Sequence, residues 1–315
     1  MQTILAGSEA VHTTAEPWFM LHTLYALRET GHTADYDATV ATRALQDFLG
    51  TLAKGEETFY QATRSMALEL YGQACRETGK QLFLDKTPRY YKILPELAQT
   101  FPQARFLILL RNPAAVLSSI LHTWVKGDWN RLDYFRDDLL VAPRSLTEFV
   151  TESTGQTRVI YYESLVLKPD ITIRSLCEWL EIPYQPELLE YGQHPRPRGR
   201  YGDPTGVEKH QRPSADSLNT WLDHASDPQI HHLLSSYLDT LGPEQLAAMG
   251  YDSAQLVNEM AGVIRQPGKV TVQWEHLMKD DKSAAERLRL IVSGGRRERR
   301  PLETARQIAR LLVGR

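Results

Sequence analysis

Three short apolar segments, each followed by a helical pattern, constrain the fold of this chain most strongly. The segments are QLFLD (81–85), RFLILL (105–110) and RVIYY (158–162). Continuous apolar runs of this length are typical of strands that are buried on both faces. Helical patterns cover residues 39–53, 60–78, 88–99, 113–124 and 170–181. The alternation predicts an α/β fold, with a mainly parallel sheet flanked by helices and right-handed crossovers.

The remainder of the chain is helical and contains more loop. A segment rich in Pro, Gly and Arg covers 194–206, and helical patterns follow near 214–224, 228–241 and 253–264. We predict one α/β domain over residues 1–245 and a helical C-terminal extension over residues 246–315. From residue 287 onward the extension carries nine Arg and two Glu.

Charge and composition exclude several classes of protein. Residues 1–286 carry 27 basic and 37 acidic side chains, whereas a non-specific nucleic-acid binder needs a basic folded surface. No run of about 18 apolar residues is present, and the first residues include acids and Pro where a signal peptide is basic and then apolar. We therefore expect a cytoplasmic protein without a transmembrane segment or a nucleic-acid partner.

Cysteine and histidine usage indicates no metal site. Cys75 and Cys177 are the only cysteines, and each lies in an amphipathic segment, so we expect two reduced core thiols rather than a disulfide framework. The ten His residues show no metal-binding spacing.

A repeated order of residues follows two of the predicted strands. Lys86 follows QLFLD and precedes Thr-Pro, and Arg111 follows RFLILL and precedes Asn-Pro. Thr87 and Asn112 are good N-caps, and Pro favours the first turn, so each helix is expected to present free N–H groups beside a cation. Because ligands bind at the carboxyl ends of parallel strands, the two cations are expected to face one anion-binding crevice. In the alternative interpretation, Lys86 and Arg111 are only solvent-exposed charged side chains at the edge of the sheet and bind no ligand.

The segments 83–121, 159–189 and 202–221 carry a resemblance to a known family. They resemble sulfotransferases that use 3′-phosphoadenosine 5′-phosphosulfate (PAPS), especially the bacterial and tyrosylprotein sulfotransferase-like branch, and the likeness extends over roughly residues 1–240. The resemblance implies a P-loop NTPase-like sheet and transfer of a sulfuryl group from PAPS to a hydroxyl or amine acceptor. It implies no metal.

The resemblance also implies roles for five residues. Arg111 and Ser119 would bind the 3′-phosphate, Tyr162 would lie against adenine, and Lys86 would contact the sulfonate as both a binding and a catalytic group. Glu16 would be the general base. The alternatives are a half-buried strand aromatic for Tyr162 and a capping or surface carboxylate for Glu16.

One part of the family pattern is not found in this sequence. The family begins with a strand and a Gly/Ser/Thr-rich loop that binds the 5′-phosphosulfate, whereas residues 2–6 resemble the remainder of the helix after that loop. We expect either a shortened version of a longer chain or a natural fragment that has lost half of its donor site. In both cases the sheet should be interrupted, with an exposed apolar groove beside RFLILL.

Other functions remain open at the level of sequence. A non-catalytic sulfotransferase-like remnant would bind an adenine nucleotide or a partner protein. A nucleotide kinase would need a complete phosphate loop and a Mg²⁺ ligand, and neither is found. The aromatic-rich segment 122–139 is either a lid over the acceptor or a helix that packs its aromatic rings on the sheet. The sequence predicts neither the acceptor nor the oligomeric state.

Overall fold

The computed structural model describes residues 1–31, 34–153, 156–194, 196–199, 210–264 and 266–278. It contains two compact units. The first consists of Met1–Arg111 and Arg144–Asp216, and the second of Asn112–Pro143 and Ser217–Arg315. The predicted boundary at residue 245 stays a prediction. The Arg-rich tail lies outside the described residues.

The first unit alternates strands and helices, as the sequence predicts. Its strands are β1 (Val11–Thr13), β2 (Leu82–Leu84), β3 (Phe106–Leu110) and β4 (Thr157–Tyr161). The helices before β3 are α1 (Gln2–Ala6), α2 (Phe19–Leu24), α3 (Ala38–Gly50), α4 (Glu56–Thr78) and α5 (Leu94–Thr100). Its later helices are α8 (Ala142–Glu152, whose first two residues belong to the second unit), α9 (Tyr162–Leu167) and α10 (Pro169–Leu180).

The four strands form two separate parallel pairs. β1 pairs with β2, with Thr13 opposite Leu84, and β3 pairs with β4, with Leu110 opposite Tyr161. Among the described strands, no ladder joins one pair to the other. The α/β class, the parallel direction and the interruption of the sheet are therefore confirmed. The apolar groove beside RFLILL stays a prediction, although Leu109 within β3 is 43% exposed.

Two apolar clusters hold the first unit together. One joins α1 and α10 to β1 and β4, and includes Ile4, Leu5, Ile173 and Cys177. The other packs α2 against α4 and α5. Cys75 and Cys177 are both buried and unbonded to each other, as the sequence predicts.

The described residues of the second unit form helices and loops. It contains α6 (Pro113–Ile120), α7 (Arg136–Leu140), α11 (Thr220–His224), α12 (Pro228–Ala248), α13 (Ser253–Ala261) and α14 (Trp274–Leu277). A single large apolar cluster, which includes Leu117, Leu139, Trp221 and Tyr237, fills its interior. The Tyr237 hydroxyl is buried and donates to the Leu139 carbonyl oxygen at 2.9 Å, which satisfies its polar atom.

Several local predictions are wrong. The helix predicted over 88–99 begins as a 3₁₀ helix, Pro88–Ile93, before α5. The helix predicted over 113–124 is α-helical only to Ile120 and continues as one π-helical turn, Leu121–Val125. The helix predicted over 214–224 is confined to α11. β1 and α8 were not predicted. The three residues of β1 are too few to show alternation, whereas α8 carries an amphipathic pattern that the sequence analysis missed.

The aromatic-rich segment 122–139 divides between burial and exposure. Trp129 and Phe135 pack against the core of the second unit, whereas Trp124 and Tyr134 are exposed. The alternative of a helix that packs its aromatic rings on the sheet is wrong, because the segment divides into a π-helical turn, the 3₁₀ helix Trp129–Phe135 and part of α7, and its buried rings pack against the helical cluster of the second unit. The alternative of a lid over the acceptor stays a prediction.

Candidate functional site

Arg111 and Tyr162 lie side by side in the first unit. Each residue directly follows its strand, and the strands pair in parallel with their last residues opposite each other. The Arg111 guanidinium carbon lies 4.4 Å from the centroid of the Tyr162 ring. A cation over an aromatic face at this distance stabilises the arrangement by about 0.5–1 kcal/mol where solvent reaches it. The pair combines a planar multi-donor cation, suited to phosphate, with a flat ring suited to stacking.

Asn112 caps α6 as the sequence predicts. Its Oδ1 accepts hydrogen bonds from the N–H groups of Ala114 at 2.9 Å and Ala115 at 3.4 Å. Ser119 lies on α6 and is exposed, whereas its neighbour Ser118 is buried. Arg111 belongs to the first unit and Ser119 to the second. Their joint contact with one phosphate stays a prediction.

Glu16 and Lys86 form an ion pair at the carboxyl ends of β1 and β2. The Lys86 Nζ lies 2.5 Å from Glu16 Oε1, and the two side chains are 37% and 10% exposed, respectively. The contact arises because Glu16 follows β1 and Lys86 follows β2, so the parallel pairing brings both to one edge. The structure therefore brings the two predicted catalytic residues together. The Trp18 indole N–H donates to the other Glu16 oxygen at 3.3 Å.

The predicted capping role of Thr87 is wrong. No side chain caps the 3₁₀ helix that Pro88 opens. The Thr87 hydroxyl oxygen instead accepts a hydrogen bond from the Trp18 N–H at 3.3 Å, and the hydroxyl donates to Asp85 at 3.4 Å. The site beside Lys86 is therefore not the capped α-helix N-terminus that the sequence order suggested. Only the site beside Arg111 has that form.

Asp85 is a site-adjacent residue that the sequence analysis missed. Its carboxylate accepts hydrogen bonds from the hydroxyls of Tyr71 at 2.6 Å and Tyr90 at 2.7 Å. Burial raises the pKa of the Asp85 carboxyl above its ordinary value, although these donors oppose the effect. Burial, with the Asp85 charge, also raises the pKa of both tyrosines. A carboxylate directly before a predicted catalytic lysine was the available signal.

A second cluster of polar groups lies within the second unit and lines a cavity of about 520 Å³. The Ser118 Oγ lies 2.8 Å from His224 Nδ1, and the imidazoles of His122 and His224 stack with centroids 4.4 Å apart. Burial lowers the pKa of His224, the His122 imidazole lowers it further, and Asp223 opposes both. The π-helical turn that contains His122 forms part of the cavity wall, together with Lys126.

Two negative findings apply to the described ranges. No group of three or more His, Cys, Asp or Glu side chains there is placed to hold a metal ion. None of the helices within those ranges combines the length and apolar character that crossing a membrane requires.

Comparisons with known proteins match the chain to one family. A model of the sulfotransferase family matches residues 1–186. The nodulation protein NoeE of Sinorhizobium fredii is 24% identical over 289 residues, which cover 84% of this chain and 65% of NoeE. Protein-tyrosine sulfotransferase A of Caenorhabditis elegans is 30% identical over 113 residues, which cover 35% of this chain and 30% of that protein. The chain thus spans less than two thirds of the length of each of these relatives.

A solved structure supports the fold. The sulfotransferase domain of the curacin biosynthetic pathway aligns with a TM-score of 0.50 and 20% identity, over 80% of this chain and 92% of that domain. At this identity the alignment shows a shared fold. The family match extends over Glu16, Lys86, Arg111, Ser119 and Tyr162 and includes more than half of the chain. The protein therefore belongs to the sulfotransferase family.

Proposed function

We propose that this protein transfers a sulfuryl group from PAPS to a hydroxyl or amine acceptor. The observation that carries the proposal is the Arg111–Tyr162 pair at the carboxyl ends of β3 and β4. A cation and a flat ring in contact there match what an adenine nucleotide with a 3′-phosphate requires. Family membership makes PAPS the donor to test first.

In this proposal the donor is held mainly by positive charge and stacking. Arg111 donates to the 3′-phosphate, and Ser119 adds a hydroxyl from the exposed side of α6. Tyr162 lies against the adenine ring. Because the residues 1–286 carry more acidic than basic side chains, this local cation is what attracts the nucleotide.

The proposed chemistry requires little from the protein beyond placed charges. The acceptor oxygen or nitrogen attacks sulfur, a new bond to sulfur forms, and the bond from sulfur to the bridging oxygen of the 5′-phosphate breaks. Negative charge then develops on that bridging oxygen, and 3′-phosphoadenosine 5′-phosphate (PAP) leaves. A cation placed beside that oxygen lowers the barrier, and a carboxylate can take the proton of the acceptor.

Lys86 and Glu16 supply these two groups in the proposal. The Lys86 ammonium pairs with the Glu16 carboxylate at 2.5 Å. A bound sulfonate provides a second anion for Lys86, which weakens the hold of Lys86 on Glu16. Glu16 is then able to accept the acceptor proton. Donor binding and activation of the base are coupled in this way.

Direct transfer of label tests the proposal. The protein is incubated with ³⁵S-labelled PAPS and a panel of acceptors, beginning with tyrosine peptides because one of the similar proteins is protein-tyrosine sulfotransferase A of Caenorhabditis elegans. We expect acceptor-dependent incorporation of label and an equal amount of PAP. Binding of PAP without transfer to any acceptor would favour the non-catalytic alternative instead.

A cytoplasmic location stays a sequence-based prediction.

A further inference from the structure

Helix α2 begins without a cap from its own segment. Trp18 precedes the helix in the left-handed conformation, with φ 56° and ψ 6°, and no local side chain accepts from the first N–H groups. These groups need acceptors, because a helix leaves its first four N–H groups without an internal partner. Two acceptors come from distant residues. Thr87 Oγ1 accepts from the Trp18 N–H at 3.3 Å, and Tyr90 Oη accepts from the Met20 N–H at 3.4 Å.

Asp85 sets the direction of both hydroxyls. The Tyr90 hydroxyl donates to Asp85 Oδ2 at 2.7 Å, and the Thr87 hydroxyl donates to Asp85 Oδ1 at 3.4 Å. A hydroxyl has a single proton, so one that donates to a carboxylate turns its lone pairs away from it. The lone pairs of Thr87 and Tyr90 are therefore available to the backbone. Without Asp85 each hydroxyl could rotate and donate elsewhere.

The start of α2 in turn fixes Glu16. The Trp18 indole N–H donates to Glu16 Oε2 at 3.3 Å, while Lys86 binds Oε1. A non-glycine residue at positive φ persists only where its surroundings hold it there. Here the surroundings include Thr87, through its contact with the Trp18 N–H.

We propose that Asp85 is a positioning residue, which holds the turn at Trp18 through Thr87 and Tyr90 and so keeps Glu16 directed at Lys86. The expected effect on turnover rests on the function proposed above. The expected effect on the backbone at residues 18 and 20 does not depend on that function.

Amide hydrogen exchange tests the backbone part of this proposal. Thr87→Val should accelerate exchange at Trp18 but not at Met20, and Tyr90→Phe should do the reverse. Asp85→Ala should accelerate both, by about two- to tenfold for loss of one hydrogen bond each. Unchanged exchange at both amides in Asp85→Ala would overturn the proposal. If that variant does not fold, absence of the site-specific effects in the two single-hydroxyl variants overturns it equally.

Asp170 provides the matched control. Its carboxylate accepts from the Tyr184 hydroxyl at 2.5 Å in the same unit, on α10. Asp170→Asn should leave exchange at Trp18 and Met20 unchanged. Equal acceleration in this control would mean a global loss of stability and would overturn the positioning role.

Kinetics test the link to Glu16. Asp85→Ala should lower kcat by about tenfold or more without raising the KM for PAPS, because it displaces the base and leaves Lys86 available to the sulfonate. Asp85→Asn, which keeps one acceptor oxygen, should recover part of kcat. A rise in KM for PAPS with unchanged kcat would contradict the proposal. If the parent protein transfers no label at all, the proposed function fails, whereas the exchange measurement still decides the role of Asp85.

Discussion

Replacement of Arg111 by alanine should weaken PAP binding far more than 5′-AMP binding. A charge-assisted hydrogen bond contributes about 1.5–3 kcal/mol. The guanidinium also lies 4.4 Å from the Tyr162 ring centroid, and loss of this contact costs about 0.5–1 kcal/mol. Together these give about 2–4 kcal/mol, which corresponds to about 30- to 1,000-fold weaker binding of PAP. AMP lacks the 3′-phosphate, so its affinity should fall by no more than about fivefold, from the loss of support for Tyr162.

Isothermal titration calorimetry of both nucleotides measures this difference, and Arg105 offers a matched control. Arg105 precedes β3 at the opposite end from Arg111, donates to the Leu180 carbonyl oxygen at 2.6 Å and pairs with Glu181. Arg105→Ala should bind PAP as the wild type does. If Arg111→Ala keeps wild-type affinity for PAP, Arg111 does not bind the 3′-phosphate and the reasoning is refuted.

Three further predictions concern the other titratable groups. Glu16→Gln should lower kcat by about 10²- to 10⁴-fold without weakening PAP binding, as measured by label transfer and calorimetry; wild-type turnover would exclude Glu16 as the base. Because the raised pKa of Asp85 means that the folded state holds this proton more tightly, the wild type loses stability as the pH rises from about 3.8 through that raised pKa. Asn cannot ionise at this position, so the Tm of Asp85→Asn should rise relative to the Tm of the wild type over this pH window. A constant difference between the two Tm values would contradict a raised pKa of Asp85. His122→Gln should raise the pKa of His224 in an NMR titration, since it removes an imidazole stacked at 4.4 Å; an unchanged pKa would show that burial alone lowers it.

The sequence predicted a structural feature correctly where that feature depends on a single short segment of the chain. The apolar runs that form β2, β3 and β4 are local signals, and so is the Asn112 cap, whose acceptors and donors lie within three residues. The contact between Arg111 and Tyr162 follows from the parallel register of two predicted strands. The Glu16–Lys86 contact depends on the pairing of β1 with β2, and β1 is too short to predict from the sequence. Only the family resemblance indicated that these two residues share a site.

The sequence was insufficient where the partner of a group lies far along the chain. Thr is a favourable residue type for an N-cap. The Thr87 hydroxyl, however, donates to Asp85 and accepts from the backbone N–H of Trp18, which lies 69 positions away in the sequence. The Ser118–His224 contact joins residues 106 positions apart. Tertiary contacts of this kind override local preference, because a buried hydroxyl takes whichever acceptor or donor the fold places beside it.

The most direct test of the proposed donor site compares two nucleotides on the unmodified protein. PAP and 5′-AMP differ only in the 3′-phosphate, so the ratio of their dissociation constants isolates the contribution of the groups that would bind it. We expect PAP to bind at least about tenfold more tightly, the effect of one charge-assisted hydrogen bond. Equal affinity for the two nucleotides, or no binding of either, would contradict the assignment of Arg111 and Ser119 to the 3′-phosphate.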